Sequence, residues 1–341
     1  MRILIHQYYV ISKNRRDAMQ TKTQKKPRIG LYSCGLRCYW SQFEGLRGRL
    51  VDYGTFMKET MEAMGAEVFY YEMVDAEDAG VAAGEFFNQA NVDLIFAHAA
   101  TYVTSASVLP VHQICKAPVV ILNLQPTAQI NYAETTAGEW LAHWGACPVP
   151  ELTNAFHRAG ITSYVVNGLL GLRETPSISL TDEVTQERPE AVKARKQIEE
   201  WSLAAKVKRN LQGSRFGFLG NTYSGMLDMY SDFTMFQAQT GAHVQILEMC
   251  DLDRMLKEVT DREVGEKLKE IGEFFVISEK SSSDPLAKKP TSEQLEWSAR
   301  VSAAQERLVK EFNLDALTYY YHGAPGNEYE KLQGGFIVGH S

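Results

Sequence analysis

The sequence predicts an α/β protein made of two consecutive parallel-sheet domains. Three observations lead there. Short apolar runs alternate with helix-length amphipathic segments from Arg28 onward, the pattern of βαβ units with right-handed crossovers. The series pauses once, at a polar stretch carrying Pro176 and Pro189, and then resumes. The length of 341 residues is more than one core usually spans. The expected boundaries are a first domain over 28–171, a crossover over 172–189 and a second, incomplete domain over 190–341.

Each element has a local reason. Ile29–Ser33 reads as a strand, and Phe43–Met64 as a helix with Leu46, Leu50, Tyr53, Met57 and Met61 on one face, stopped by Gly65. Strands follow at Glu67–Tyr71, Val92–Phe96, Pro118–Leu124 and Ile161–Val166, with helices at Ala76–Gln89, Val108–Cys115 and from about Pro150. Beyond the crossover, Glu190–Leu211 reads as a charged amphipathic helix with Val192, Ile198, Leu203 and Val207 inward. Strands at Arg215–Leu219, His243–Leu247 and Ala316–Tyr321 alternate with helices at Met226–Thr240, Asp251–Phe275 and Thr291–Phe312. Glu279–Pro290 reads as a loop, and the glycine-rich stretch from Gly323 shows no helix. Residues 1–27 are polar and basic in the middle, either a flexible extension or sequence ahead of the true start, with Met19 available as one.

Composition narrows the function. The chain is 45% hydrophobic and 23% charged, ordinary for a soluble globular protein. A net charge of -7 disfavours nucleic acid or an anionic membrane as the main partner. No apolar run has the length of a membrane span, and no secretory signal is evident. Five scattered cysteines suit reduced thiols in the cytoplasm. Cys34-Gly35-Leu36-Arg37-Cys38 has no second cysteine pair to complete a zinc site. P-loop, dinucleotide and Gly-x-Ser-x-Gly patterns are missing, which disfavours nucleotide-dependent and nucleophilic hydrolytic chemistry.

The most informative stretch is Gly217–Thr234, GFLGNTYSGMLDMYSDFT. An apolar strand breaks at Gly220-Asn221, a second glycine follows at Gly225, and a Met226/Met229/Phe233/Phe236 stripe reads as a helix. Asp228 and Asp232 then share one helical face in the first turn. Such a loop lies at the carboxyl edge of a parallel sheet, where open α/β sheets bind ligands. The corresponding edge of the first sheet receives Trp40 and Gln42 after the first strand, His98 at the end of the third, and Asn123 and Gln125 at the end of the fourth. Amides there can both donate to and accept from hydroxyl groups. Tyr319-Tyr320-Tyr321-His322 ends a later strand with polar-tipped aromatics. Each feature has a plainer reading: Trp40 as a core cap, Gln125-Pro126 as a turn, His98 as a structural histidine. No histidine pair has metal-ligand spacing.

Three segments together resemble the L-arabinose isomerase/L-fucose isomerase superfamily, in its L-arabinose isomerase-like branch. They are GNTYSGMLDMYSDFT, Trp144-Gly145-Ala146-Cys147-Pro148-Val149-Pro150-Glu151-Leu152-Thr153-Asn154, and Tyr319-Tyr320-Tyr321-His322-Gly323, in the family's order over roughly 26–341. The resemblance implies two Rossmann-like domains without the family's C-terminal barrel domain. It also implies aldose–ketose isomerisation through a Mn²⁺-stabilised enediolate, with carboxylates moving the proton. The family's first metal-binding glutamate lies in a Gly-Glu-Gly-Asp-type motif just past the segment resembling Gln333–Ser341. The catalytic glutamates and the metal therefore map to no residue of this chain, which on this reading is truncated and inactive alone. What maps is pocket wall: Met226, Asp228, the Asn123–Gln125 edge, Tyr321 and His322; Trp40, Gln42 and His98 join the candidate substrate-binding set through their place at the strand ends. The implied partners are a small sugar or polyol and further copies of the chain in a trimer or hexamer. A non-catalytic sugar-binding α/β module is the alternative.

Overall fold

The computed structural model describes residues 24–174, 184–277, 289–320, 326–333 and 335–336. The chain divides into two compact units, one of residues Gln24–Asn210 and a second that contains Leu211–Ser341. Most of the expected N-terminal extension lies outside the described residues. Its last residues are anchored: the Pro27 carbonyl accepts from the Glu67 amide, and Lys25 exchanges backbone hydrogen bonds with the Asn210 side chain.

In the first unit the strands are β1 (Arg28–Cys34), β2 (Glu67–Val74), β3 (Leu94–His98), β4 (Val119–Gln125) and β5 (Ser163–Leu169). The helices are α1 (Leu46–Ala63), α2 (Glu77–Gln89), α3 (Ser105–Ile114), α4 (Ala137–Leu141), α5 (Val149–Arg158) and α6 (Pro189–Leu211). The strands form one all-parallel sheet in the order β2-β1-β3-β4-β5, doubly wound with helices on both faces. Alternation along each strand separates two cores. Ile29, Leu31, Leu94, Phe96, Val120 and Leu122 pack with α1 and α6 on one face. Tyr32, Ile95, Ala97, Val119 and Ile121 pack with α2, α3 and α5 on the other.

α1 buries the five apolar side chains its 3.6-residue spacing selects, and Gly65 follows it at φ 93, a left-handed position that glycine fills without strain. Each such side chain contributes roughly 1.5–3 kcal/mol relative to exposure.

Helix α6 corrects two expectations. Its buried stripe is Ala191, Ala194, Ile198, Ser202 and Ala205, while Val192, Leu203 and Val207 are exposed. The cause is close approach to β5. A Cβ on Gly168 would sit 2.6 Å from the Glu190 carbonyl oxygen and 2.9 Å from the Ala194 Cβ, so only small residues fit at the contact. The helix also belongs to the first core, not to a second domain beginning at residue 190: Ala194, Ile198 and Ala205 pack with Leu50, Met57 and Val166. The buried Arg209–Asp93 ion pair fastens its end to the start of β3.

The second unit holds β6 (Arg215–Gly220), α7 (Phe233–Thr240), β7 (His243–Leu247), α8 (Met249–Glu258), α9 (Asp261–Phe274), α10 (Ser292–Glu311), β8 (Ala316–Tyr320) and α11 (Glu330–Gln333). Its parallel sheet has the order β7-β6-β8, the same start as the first sheet. Leu219, Leu247, Leu252, Val264, Ala304, Leu308 and Phe336 centre its core. The helix expected from Met226 begins only at Phe233, where the Asp232 carboxylate caps it by accepting from the Thr234 and Met235 amides. Met226 and Met229 are 43% and 44% exposed in a loop and its 3₁₀ turn, so they form no core stripe. Two glycines at positive φ, Gly220 and Gly225, leave that loop free to turn away from the core. The short α11 occupies part of the stretch read as having no helix.

Candidate functional site

In the first sheet the chain leaves β1 for β2 on one side and returns with β3 on the other. That reversal marks the carboxyl ends of β1 and β3 as the place where doubly wound sheets bind ligands.

The loop after β1 is held by charge. Arg37 bonds Asp75 Oδ1 at 3.0 Å and Asp78 at 2.7 and 3.0 Å. The hydrogen bond from Arg37 holds the Asp78 carboxyl below its usual range. Trp40 Nε1 donates to Asp75 Oδ2 at 2.6 Å, and its ring lies over Gly35, where a Cβ would come within 2.7 Å of it. The indole thus caps its own loop against the core, the plainer of its two sequence readings. Gln42 is exposed and donates to the Cys38 carbonyl in a local turn.

His98 ends β3 beside Ser33 of β1 and is buried in the face that packs against α1. Burial pushes its pKa down to about 3, so it is neutral, and among the described residues its Nδ1 has no hydrogen-bond partner. Asn123 and Gln125 occupy the opposite face of the same edge. There Gln125 donates to Asn123 Oδ1 at 3.2 Å, and Asn123 donates to Asn167 Oδ1 at 2.7 Å, a three-amide ladder across the ends of β4 and β5. Sequence spacing groups His98 with the amides; strand alternation places them on two sides of the sheet.

Asn167 is absent from the sequence reading. Its signal was an asparagine closing the apolar run of the neighbouring strand, in register with Asn123. The Trp144–Asn154 segment clamps the turn after β3. Gly145 lies so close that a Cβ would fall 1.9 Å from the Ala99 carbonyl oxygen. Glu151 accepts from the Ser105 amide at 2.7 Å and the Tyr102 hydroxyl at 3.3 Å. Partial burial raises the Glu151 pKa, but these bonds outweigh it and hold the carboxyl below its usual range. His143 bonds Thr127 Oγ1 and the Glu139 carbonyl, a structural role in the loop after β4.

In the second unit the Gly217–Thr234 segment leaves the carboxyl end of β6, the strand at that sheet's own reversal. The Asn221 amide donates to the Tyr320 carbonyl, and the Tyr223 and Tyr320 rings lie 5.2 Å apart. Tyr223, Met226, Leu227, Met229 and Tyr230 are all exposed on this loop. Asp228 sits in a 3₁₀ turn and Asp232 at a helix cap, so the shared helical face expected of them does not exist. Tyr321 and His322 lie outside the described residues. No three His, Cys, Asp or Glu side chains converge on one point among the described residues. No described helix is long and apolar enough to cross a membrane.

The sequence matches no family model and no curated protein. Three solved structures are similar in part. A putative acylhydrolase from Bacteroides fragilis shares 13% identity at a TM-score of 0.28, over 56% of this chain and 96% of that one. An ABC transporter periplasmic solute-binding protein from Actinobacillus succinogenes, with bound D-allose, shares 11% identity at 0.24, over 87% and 96%. An ABC transporter protein from Rhodopseudomonas palustris shares 15% at 0.18, over 92% and 81%. These scores are too low to transfer fold or function.

Proposed function

We propose that this chain is a sugar- or polyol-binding member of the L-arabinose isomerase/L-fucose isomerase superfamily. The observation that carries the reading is where the resembling residues fall. Asn123 and Gln125 end β4, GNTYSGMLDM leaves the end of β6, and Tyr319-Tyr320 ends β8 beside it. All stand at carboxyl edges of parallel strands, where ligands bind in such sheets. The amide ladder suits a polyol. Gln125 keeps its carbonyl oxygen and Asn167 its amide N–H₂ outside the ladder, an acceptor and a donor for neighbouring hydroxyls.

The family's reaction would make the protein an intramolecular oxidoreductase of the aldose–ketose type. Its metal step is assigned to no residue of this chain. The ladder favours a second reading, a sugar-binding module without turnover, because amides hold hydroxyls without a metal. Both readings place the protein in the cytoplasm, and the first makes it a trimer or hexamer.

Calorimetry with L-arabinose, L-fucose and ribitol tests the common part. Saturable binding is expected, weakened about tenfold by Gln125→Ala, in line with the loss of a ligand hydrogen bond that leaves its partner unpaired. Silence towards all three sinks both readings. A ketose assay with Mn²⁺ then separates them: turnover supports the isomerase reading, and binding without turnover supports the second. Light scattering reports the assembly, and a monomer counts against the family reading.

A further inference from the structure

The two helices on one face of the first sheet leave space between them. α6 is drawn close to β5 at the Gly168–Ala194 contact, and its buried stripe carries no side chain larger than Ile198. α1 buries the unbranched Met57 and Met61 on the same face. A cavity of about 340 Å³ remains between α1, α6 and the ends of β4 and β5. Met57, Met61 and Met64 line it from α1 and the residue that follows, Leu124 and Leu170 from the strand ends, and Ile198 from α6. Its volume lies in the range of sites for small organic molecules. Methionine thioethers are flexible enough to follow an unbranched chain.

The same cavity is lined by four polar side chains, Glu59, Arg173, Gln186 and Arg195. Gln186 donates to Glu187 at 3.0 Å. Among the described residues neither arginine makes an ion pair or a side-chain hydrogen bond. Arg195 is half-buried and Arg173 exposed. Two guanidiniums against one carboxylate leave one positive charge over, beside an apolar wall. The complement is a monoanion with an apolar body. A bare inorganic anion would leave the methionine wall unfilled, and a neutral hydrocarbon would leave the charge unmatched.

We propose that this cavity binds the anion of a medium-chain fatty acid, with the chain along the methionines and the carboxylate at Arg195 and Arg173. Leu124 lies between Asn123 and Gln125, so strand alternation puts the cavity on the opposite face of the sheet from the amide ladder. The proposal therefore stands apart from the sugar assignment.

The test uses the full chain at constant ionic strength. Sodium butyrate, hexanoate and octanoate, with 1-octanol as the uncharged control, are titrated by calorimetry and by thermal shift. Octanoate is expected to bind saturably and raise the melting temperature. Each added pair of methylenes is expected to tighten binding about tenfold. Octanol is expected to bind about tenfold more weakly than octanoate, as loss of a charged hydrogen bond does. Arg195→Gln is expected to weaken octanoate by about tenfold. Arg173→Gln, at an exposed position, is expected to weaken it about two- to fivefold and serves alone if Arg195→Gln misfolds. With ¹³C-labelled methionine methyls, octanoate is expected to shift Met57, Met61 and Met64 and to leave the exposed Met226 and Met229 of the second unit unmoved. L-Arabinose, run alongside, reads the sugar assignment separately. The proposal falls if octanoate does not bind, if octanol binds as well, or if affinity is flat along the chain-length series. It falls equally if neither arginine variant weakens octanoate, or if Met226 and Met229 shift in place of the three cavity methionines, which would mark adsorption to exposed apolar surface.

Discussion

Two buried histidines set the acid behaviour of the first unit. His98 and His112 are both held neutral by burial, each with its pKa lowered to about 3. Their unfolded value is about 6.5. Between those limits the unfolded chain takes up protons that the folded chain refuses. The stability they contribute is whole above about pH 6.5 and is lost as pH falls, at roughly 1.4 kcal/mol per pH unit for each histidine. Urea titrations at pH 7, 6, 5 and 4 should show this decline, and His112→Asn should flatten it by roughly half. A flat profile in the parent protein would mean that both rings protonate in place. Gly145 makes a second prediction at this scale. An alanine there meets the backbone of Ala99, which has no rotamer to yield, so Gly145→Ala should cost about 1–3 kcal/mol in the same titrations.

Among the elements, α6 shows what a hydrophobic pattern conveys and what it hides. In α1 the large side chains face the sheet, and periodicity read them correctly from Leu46 to Met61. In α6 the helix lies so close to β5 that alanine and serine make the contact, and the larger Leu203 and Val207 turn outward. A scale that ranks residues by apolarity alone selects the wrong stripe, because the deciding variable is distance between backbones. Ala194→Leu should therefore destabilise by about 1–3 kcal/mol through overpacking. Leu203→Ser, on the exposed side, should stay within about 0.5 kcal/mol. Equal effects would contradict the packing described. The loop after β6 misled in another way. Its methionines have helical spacing, yet Asp232 captures the amides that open α7 and sets the helix start seven residues after Met226. Local capping overrode the apolar period there.

For the whole molecule, strand alternation and carboxyl edges were legible because they follow from two periods, 2 and 3.6. The parallel class of both sheets was legible for that reason. Strand order was not, because it depends on which side of β1 each crossover lands. Which candidates share a pocket depends on order and on sheet face together. Hence His98 and Gln125 look like neighbours in sequence logic and stand on opposite faces, while Asn167 was invisible until register was known. The structure also makes the end of α6 a fastening point for the first unit. Asp93 accepts from both the Arg28 amide and the Arg209 guanidinium in a buried setting. Arg209→Ala leaves that carboxylate without its counter-charge and should cost about 3–5 kcal/mol, read as a lowered urea midpoint. A loss near zero would place the pair among weak surface contacts.

The Lys25–Asn210 clasp has a topological corollary. Two hydrogen bonds, of 2.9 and 3.0 Å, join the residues next to the two limits of the first unit. That unit is therefore, in space, nearly a ring: its order of strands along the chain is a historical choice of where to cut. Linking residue 211 to residue 24 and opening the ring at Gly160, an exposed position in the turn after α5, should yield a circular permutant. Its far-ultraviolet spectrum and cooperative melt should match those of the uncut 24–211 segment, and a molten, non-cooperative product would show that the order of synthesis matters as much as the contacts.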